Sequence, residues 1–204
     1  MELHERIINE AGKLFVEKGI RQVTMDMIAQ AMGISKRTIY ENFKDKNELV
    51  GLFLREAIIE HKKRAFEIMA RADNVIEALF GFGEYNEQSV RKVHPCFFSD
   101  IKKYHPIVFR EVMGAGEVRN YEITFMILKR GIDEGIFLPD LDIDIANLFI
   151  HHAFDFFQKI EERNFDHSRI WYSVFFPYLK GICTEKGRSL IALFETKVEN
   201  LKKK

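Results

Sequence analysis

The sequence predicts an all-α protein, and three observations carry that expectation. Only four prolines occur in 204 residues, β-branched alternation is almost absent, and apolar residues recur three and four apart nearly throughout. Hydrophobic residues make up 47% of the chain, enough to bury a substantial core as one large domain or two small ones.

Each helix has a local reason. Leu3, Ile7, Ala11, Leu14 and Phe15 line one face of a first helix over 3–18, and Gly19 can end it in a conformation that other residues resist. Thr24 can cap the next helix through its hydroxyl, and the apolar face of Ile28, Ala29 and Met32 stops at Gly33 about two turns later. Ser35 can cap a third short helix in KRTIYENF. There Ile39 and Phe43 point inward, while Lys36, Arg37, Thr38 and Tyr40 fall largely elsewhere. Two short helices separated by Gly-Ile-Ser form a candidate helix-turn-helix over about 24–43. From Asp45 to about Arg71 one long helix is expected, with Leu49, Phe53, Ala57 and Phe66 among its apolar positions. Further helices are expected at roughly 73–92, 96–112, 115–134, 142–163, 167–184 and 186–202, divided by His-Pro, Gly-rich and Leu-Pro-Asp breaks. No internal repeat or low-complexity linker is visible.

Charge and composition exclude several classes. The chain has 31 basic and 31 acidic residues, so no global field attracts nucleic acid and any DNA binding must be local. Within 33–46, Lys36, Arg37, Lys44 and Lys46 face only Glu41 and Asp45, which leaves a small positive patch. Cys96 and Cys183 lack CxxC spacing, so packed, reduced thiols are expected rather than a disulfide framework or zinc ribbon. No run approaches the roughly 18 to 20 apolar residues of a membrane span, and MELHERIINE lacks the apolar core of a signal peptide. A cytoplasmic protein without membrane association is expected. His151 with Asp155, and His94 with Cys96, fall short of three or four metal ligands at recognisable spacing, and packed histidines are the simpler account. With no Gly-rich phosphate loop, nucleophile elbow or catalytic pair, neither an enzyme nor a cofactor is expected.

A recognition helix needs long, polar, unburied residues in its first turn to reach base edges in the major groove. Lys36, Arg37 and Thr38 meet that need: Arg37 can pair with one guanine, and Thr38 can offer a hydroxyl or a methyl. Tyr40 and Lys46 suit phosphates, which position a protein without reading sequence. Thr24 adds a hydroxyl at a helix N-terminus, and Ser35 is grouped with these phosphate-side residues. On spacing alone, the stretch fits a DNA reader and an ordinary helical hairpin with solvated charges equally well.

The run from Thr24 through Ile28, Ala29, Gly33, Ile34, Ser35, Thr38, Ile39, Tyr40, Phe43 and Lys46 to Leu49 resembles the DNA-binding signature of the TetR family, and Ala11, Phe15 and Gly19 fall at that family's spacing. The resemblance implies an all-α architecture: an N-terminal three-helix helix-turn-helix domain (1–48), then a helical ligand-binding and dimerisation domain (49–204). It implies base contacts from Lys36, Arg37 and Thr38 and phosphate contacts from Thr24, Tyr40 and Lys46. Glu41 and Asn42 depart from the common pattern. An acid at 41 disfavours phosphate, so it either accepts from cytosine or faces solvent.

Seventeen of the nineteen phenylalanines follow residue 50. They can be plain core, or they can wall the apolar cavity that the resemblance implies. Phe97, Phe98, Tyr104, Phe109, Tyr121, Phe125 and Phe154 are the pocket candidates. The segment IANLFIHHAFDFFQKI is apolar on nearly every face, as is RIWYSVFFPYLKGI, and a helix apolar all round needs two partners. Together they fit an intersubunit four-helix bundle, as in this family, or a buried hairpin within one monomer. Phe149, His152, Phe156, Trp171, Phe175 and Leu179 are the dimer candidates. The expected protein is a homodimeric regulator, a repressor of a palindromic double-stranded DNA operator released by a small apolar or amphipathic effector. The alternative is a helical lipid- or small-molecule-binding protein that does not touch DNA.

Overall fold

The computed structural model describes residues 2–114, 121–161 and 171–202, with side chains described over 2–112, 121–153 and 173–195. Helix α1 (Leu3–Lys18) buries Ile7, Ala11, Leu14 and Phe15, and the N–H of Gly19, at φ 81°, closes it on the Phe15 carbonyl. Thr24 caps α2 (Met25–Met32) by accepting from the Met27 N–H at 3.2 Å. Gly33 then turns the chain in the left-handed region at φ 65°, where a side chain would be strained. Ser35 Oγ accepts from the Thr38 N–H at 3.0 Å and opens α3 (Lys36–Asn42). Helix α4 (Lys46–Arg71) starts with Asp45 and Glu48 accepting from the backbone N–H groups of Glu48 and Lys44. Asn74 and Glu77 do the same for the start of α5 (Val75–Arg91).

The expected helix over 96–112 divides at His105. Pro106 has no N–H to donate and disfavours helical geometry in the residue before it, and His105 sits at φ −130°, ψ 52°. The pieces are α6 (Phe97–Tyr104) and α7 (Pro106–Val108), which runs on as π-helical turns over Phe109–Gly114. Next come α8 (Tyr121–Asp133) and α9 (Ile143–Glu161). A π-helical segment (Trp171–Phe175) leads into α10 (Phe176–Ile182), followed by α11 (Glu185–Lys202). The parts of the expected helices at 115–120 and 162–170 lie outside the described residues. Among the described residues the only β-type pairing is one antiparallel bridge between Phe137 and Cys183. No described helix is long and apolar enough to cross a membrane.

The chain forms two compact units, 1–64 with 84–119, and 65–83 with 120–204. In the first, the core of the helix-turn-helix (Ile7, Phe15, Ile28, Ile39, Phe43, Leu49) is continuous with Phe97, Ile101 and Val108 from α6 and α7. Full burial of each large apolar side chain contributes about 1.5–3 kcal/mol, so these distant residues stabilise the DNA-binding head directly. Gly12 allows close approach of α1 to α4, because a Cβ there would lie 2.4 Å from the Phe53 ring. The second core gathers Val75, Ile76, Leu128, Phe137, Ala146, Leu179, Ile182 and Ile191. There the Arg130 guanidinium donates to the carbonyls of Met69 and Ala72, which end α4, and to Glu134 at 2.5 Å. Glu134 in turn accepts from the Val75 N–H at 2.8 Å, so one ion pair caps both sides of the α4–α5 turn.

Candidate nucleic-acid interface

Lys36 and Arg37 at the start of α3 are exposed and Thr38 is half-buried, while Ile39, at its centre, is fully buried. This anchors the helix by one face and leaves the other to solvent. On the open side, Lys36 and Arg37 are each held by an acid. Lys36 Nζ lies 2.8 Å from Asp26 of α2, and Arg37 Nε lies 2.9 Å from Glu41 one turn on. The hydrogen bond from Lys36 to Asp26, with the attraction of that carboxylate, raises the ammonium pKa above its ordinary value. Thr38 Oγ1 lies 2.8 Å from Ser35 Oγ, which turns its hydroxyl toward the cap. Tyr40 is exposed at the end of the same face, its ring 6.0 Å from Lys36 Nζ.

The residues expected at phosphates divide into exposed and engaged groups. Thr24 and Ser35 are exposed caps whose oxygens already accept backbone N–H groups. Lys46 is half-buried and donates to the Ile20 carbonyl at 2.5 Å, and burial lowers its pKa. An ammonium has three donors, so this bond leaves two.

Sequence reasoning missed the polar groups that fix this head from α6 and its flank. Asp100, buried in α6, accepts from the Arg21 N–H at 2.8 Å. His105 Nδ1 lies 2.6 Å from Asn47 Oδ1 at the start of α4. Burial lowers the His105 pKa, and neighbouring Lys46 lowers it further against the opposing pull of Asp100 and Asp45. The Arg21 guanidinium stands 5.0 Å over the Tyr104 ring, and Arg21, Gln22, Cys96 and Asp100 line an open cleft of about 430 Å³. Their separation along the chain left no periodic signal.

Four of the pocket candidates belong to the first unit and three to the second. Phe97 is a core residue at 4% exposure, edge-on to Phe53, while its neighbour Phe98 is 50% exposed. Tyr104 is on the surface with Arg21, and Phe109 is half-buried against the first core. Tyr121 and Phe125 are exposed in the second unit, one turn apart on α8. Of the dimer candidates, Phe149 and His152 are exposed, and Phe149 packs on Tyr178 at 4.7 Å between ring centroids. Phe175 is half-buried and Leu179 is inside the second core. The side chains of Phe154, Phe156 and Trp171 lie outside the described residues, as does that of Asp155. Among the described residues, no three His, Cys, Asp or Glu side chains gather as a metal site.

Comparison with known proteins gives this geometry its family. Residues 7–51 match the family of bacterial regulatory proteins described as tetR. The HTH-type transcriptional repressor KstR2 of Mycobacterium tuberculosis is 28% identical over 147 residues, 71% of this chain and 74% of the relative. YhgD, an HTH-type transcriptional regulator of Bacillus subtilis, is 35% identical over 92 residues, 43% of this chain and 46% of its own length. The crystal structure of a transcriptional regulator from Cytophaga hutchinsonii shares the fold, with a TM-score of 0.72 at 22% identity over 88% of this chain and 98% of that one. The chain is thus similar to TetR-family transcriptional regulators: its fold is all-α, and the helix-turn-helix at its N-terminus matches that family's DNA-binding domain.

Proposed function

We propose that this regulator acts in the cytoplasm as a homodimeric repressor of a palindromic operator, and that a small apolar or amphipathic effector releases it. The observation that carries the DNA-reading assignment is the first turn of α3, where Lys36 and Arg37 are exposed and Thr38 is half-buried on a helix anchored by Ile39. Lys36 and Arg37 exchange their acidic partners for base edges. Thr38, with its hydroxyl turned to Ser35, offers its methyl to a thymine. Thr24, Ser35, Tyr40 and the spare donors of Lys46 hold phosphates. Residues 1–48 form the reading domain, and 49–204 form the sensing and dimerising one.

The dimer assignment is supported by α9. Ile145, Leu148, Phe149 and His152 fall three and four apart and are all exposed, while Ala146 faces the core of the unit. An apolar stripe of this kind on a helix suits the same stripe of a second copy, since a twofold interface brings one patch against itself. Two reading helices then fall about 34–36 Å apart, one turn of DNA. An effector that binds more tightly to a dimer with mismatched heads shifts the population off the operator.

Selection of bound duplexes from a random pool, followed by titration at rising salt, tests the proposal. A palindromic consensus is expected, with affinity falling linearly in log salt as phosphate contacts release counterions. Absent or salt-insensitive binding would overturn the DNA-reading roles. A monomer by sedimentation would overturn the twofold arrangement.

A further inference from the structure

Among the described residues of the second unit, only Asn147 and His151 are buried polar side chains, and they lie one turn apart on α9. Asn147 is 8% exposed, and its Nδ2 donates to the Tyr121 carbonyl of α8 at 3.0 Å. A carbonyl can only accept, so this bond fixes which way the amide points and leaves Oδ1 as a pure acceptor. No donor among the described residues reaches Oδ1. Buried acceptors are almost always satisfied, so Oδ1 calls for a donor other than the described side chains. The surroundings are aromatic: the His151 ring lies 4.0 Å from the Tyr121 ring, and Phe125 follows one turn along α8.

We propose that Asn147 is the polar anchor of the effector site, and that the effector is an apolar, ring-bearing molecule with a hydroxyl group. Its O–H donates to Asn147 Oδ1, and its rings lie against Tyr121 and Phe125. This rests on the effector-responsive reading above and specifies its chemistry. A site that offers a buried acceptor to a hydroxyl rejects the same skeleton without the donor, since the acceptor is then left unpaired.

Two probes isolate that donor: 2-naphthol, and 2-methoxynaphthalene, in which the O–H is replaced by an ether. Calorimetric titration of the full chain without DNA should show 2-naphthol binding at least tenfold more tightly. The Asn147→Leu variant should bind both probes alike. If that variant does not fold, the side-chain amide resonance of Asn147 in the wild-type protein gives the same answer, shifting with 2-naphthol and not with the ether. Equal affinity for the two probes, no saturable binding of 2-naphthol, or a preference that survives in Asn147→Leu would each overturn the anchor. Operator release by 2-naphthol is measured separately. Its failure with the binding preference intact would remove the release step and leave the anchor standing.

Discussion

Glu41 decides how the reading face of α3 works, and Glu41→Gln is the perturbation that exposes it. In the free protein its Oε1 lies 2.9 Å from Arg37 Nε, with the two side chains 56% and 88% exposed. Such an i,i+4 pair on a solvated helix is worth about 0.2–0.5 kcal/mol, and in water it is screened within about 10 Å. Releasing Arg37 from it therefore improves DNA affinity by only about twofold, and removing a negative charge from a helix brought near the DNA polyanion adds to this. The expected result is a two- to fivefold gain for every duplex, because a solvent-facing acid carries no sequence information. If Glu41 instead accepts from a cytosine amine, the substitution costs about 1–3 kcal/mol at that base pair, roughly 5- to 150-fold, and only on the cognate site. The two accounts differ in sign as well as size. Fluorescence anisotropy with the selected operator and with single-base variants reads both. A loss confined to one base pair would refute the solvent-facing account of Glu41.

The same titrations separate reading from holding: Arg37→Ala should relax specificity at one position, whereas Tyr40→Phe should weaken binding to all sequences alike. Unchanged specificity in Arg37→Ala would remove that residue from the reading set. Arg130→Met should destabilise the protein by about 2–4 kcal/mol, since it strips the end of α4 of a charged donor and leaves part-buried Glu134 without its ion-pair partner, held by the Val75 N–H. For a chain of this size that is about 4–16 °C in melting temperature, and a shift under a degree would refute the double-cap role. His105, held below its ordinary range by burial and Lys46, is kept neutral in the fold. The stability it contributes is present above the unfolded value of about 6.5 and is lost as pH falls through the folded one. Urea melts from pH 8 to 5 should show this loss, with a flatter profile in His105→Gln. Cys96 is exposed, while burial pushes the Cys183 thiol up to about 11. A maleimide should therefore label one thiol in the native protein and both only after unfolding.

The reading head was legible in the sequence because its signals are local. Thr24, Gly33 and Ser35 act on backbone groups within three or four residues, and their caps and turn stand where the sequence placed them. The acids opposite Lys36 and Arg37 were in view too, but Asp26 meets Lys36 only because the turn folds α3 back beside α2. Beyond residue 50 the signals become tertiary. Phe97 and Phe98 are the same residue type side by side, and which one enters the core depends on Phe53, more than forty positions earlier. No periodicity could divide the pocket candidates between two units, since the division depends on where α4 and α5 pass from one to the other.

Helix α9 is the clearest case of what pattern alone leaves open. Its sequence is apolar on nearly every face, so periodicity predicts two partners without assigning a face to either. The structure assigns them: Ala146 and Asn147 turn inward, while Ile145, Leu148 and Phe149 turn out. Core burial explains the first group and only part of the second: Phe149 leans on Tyr178, but Ile145, Leu148 and about half of Phe149 stay exposed. Nor can it explain Asn147, whose polar amide sits where a leucine would pack without a hydrogen-bond demand. One helix thus carries two features that its own fold does not call for, an outward apolar stripe suited to a second copy and an inward acceptor suited to a ligand. On the roles proposed above, the acceptor and the stripe lie on opposite faces of the same helix, so the two proposals are tested by substitutions in one element.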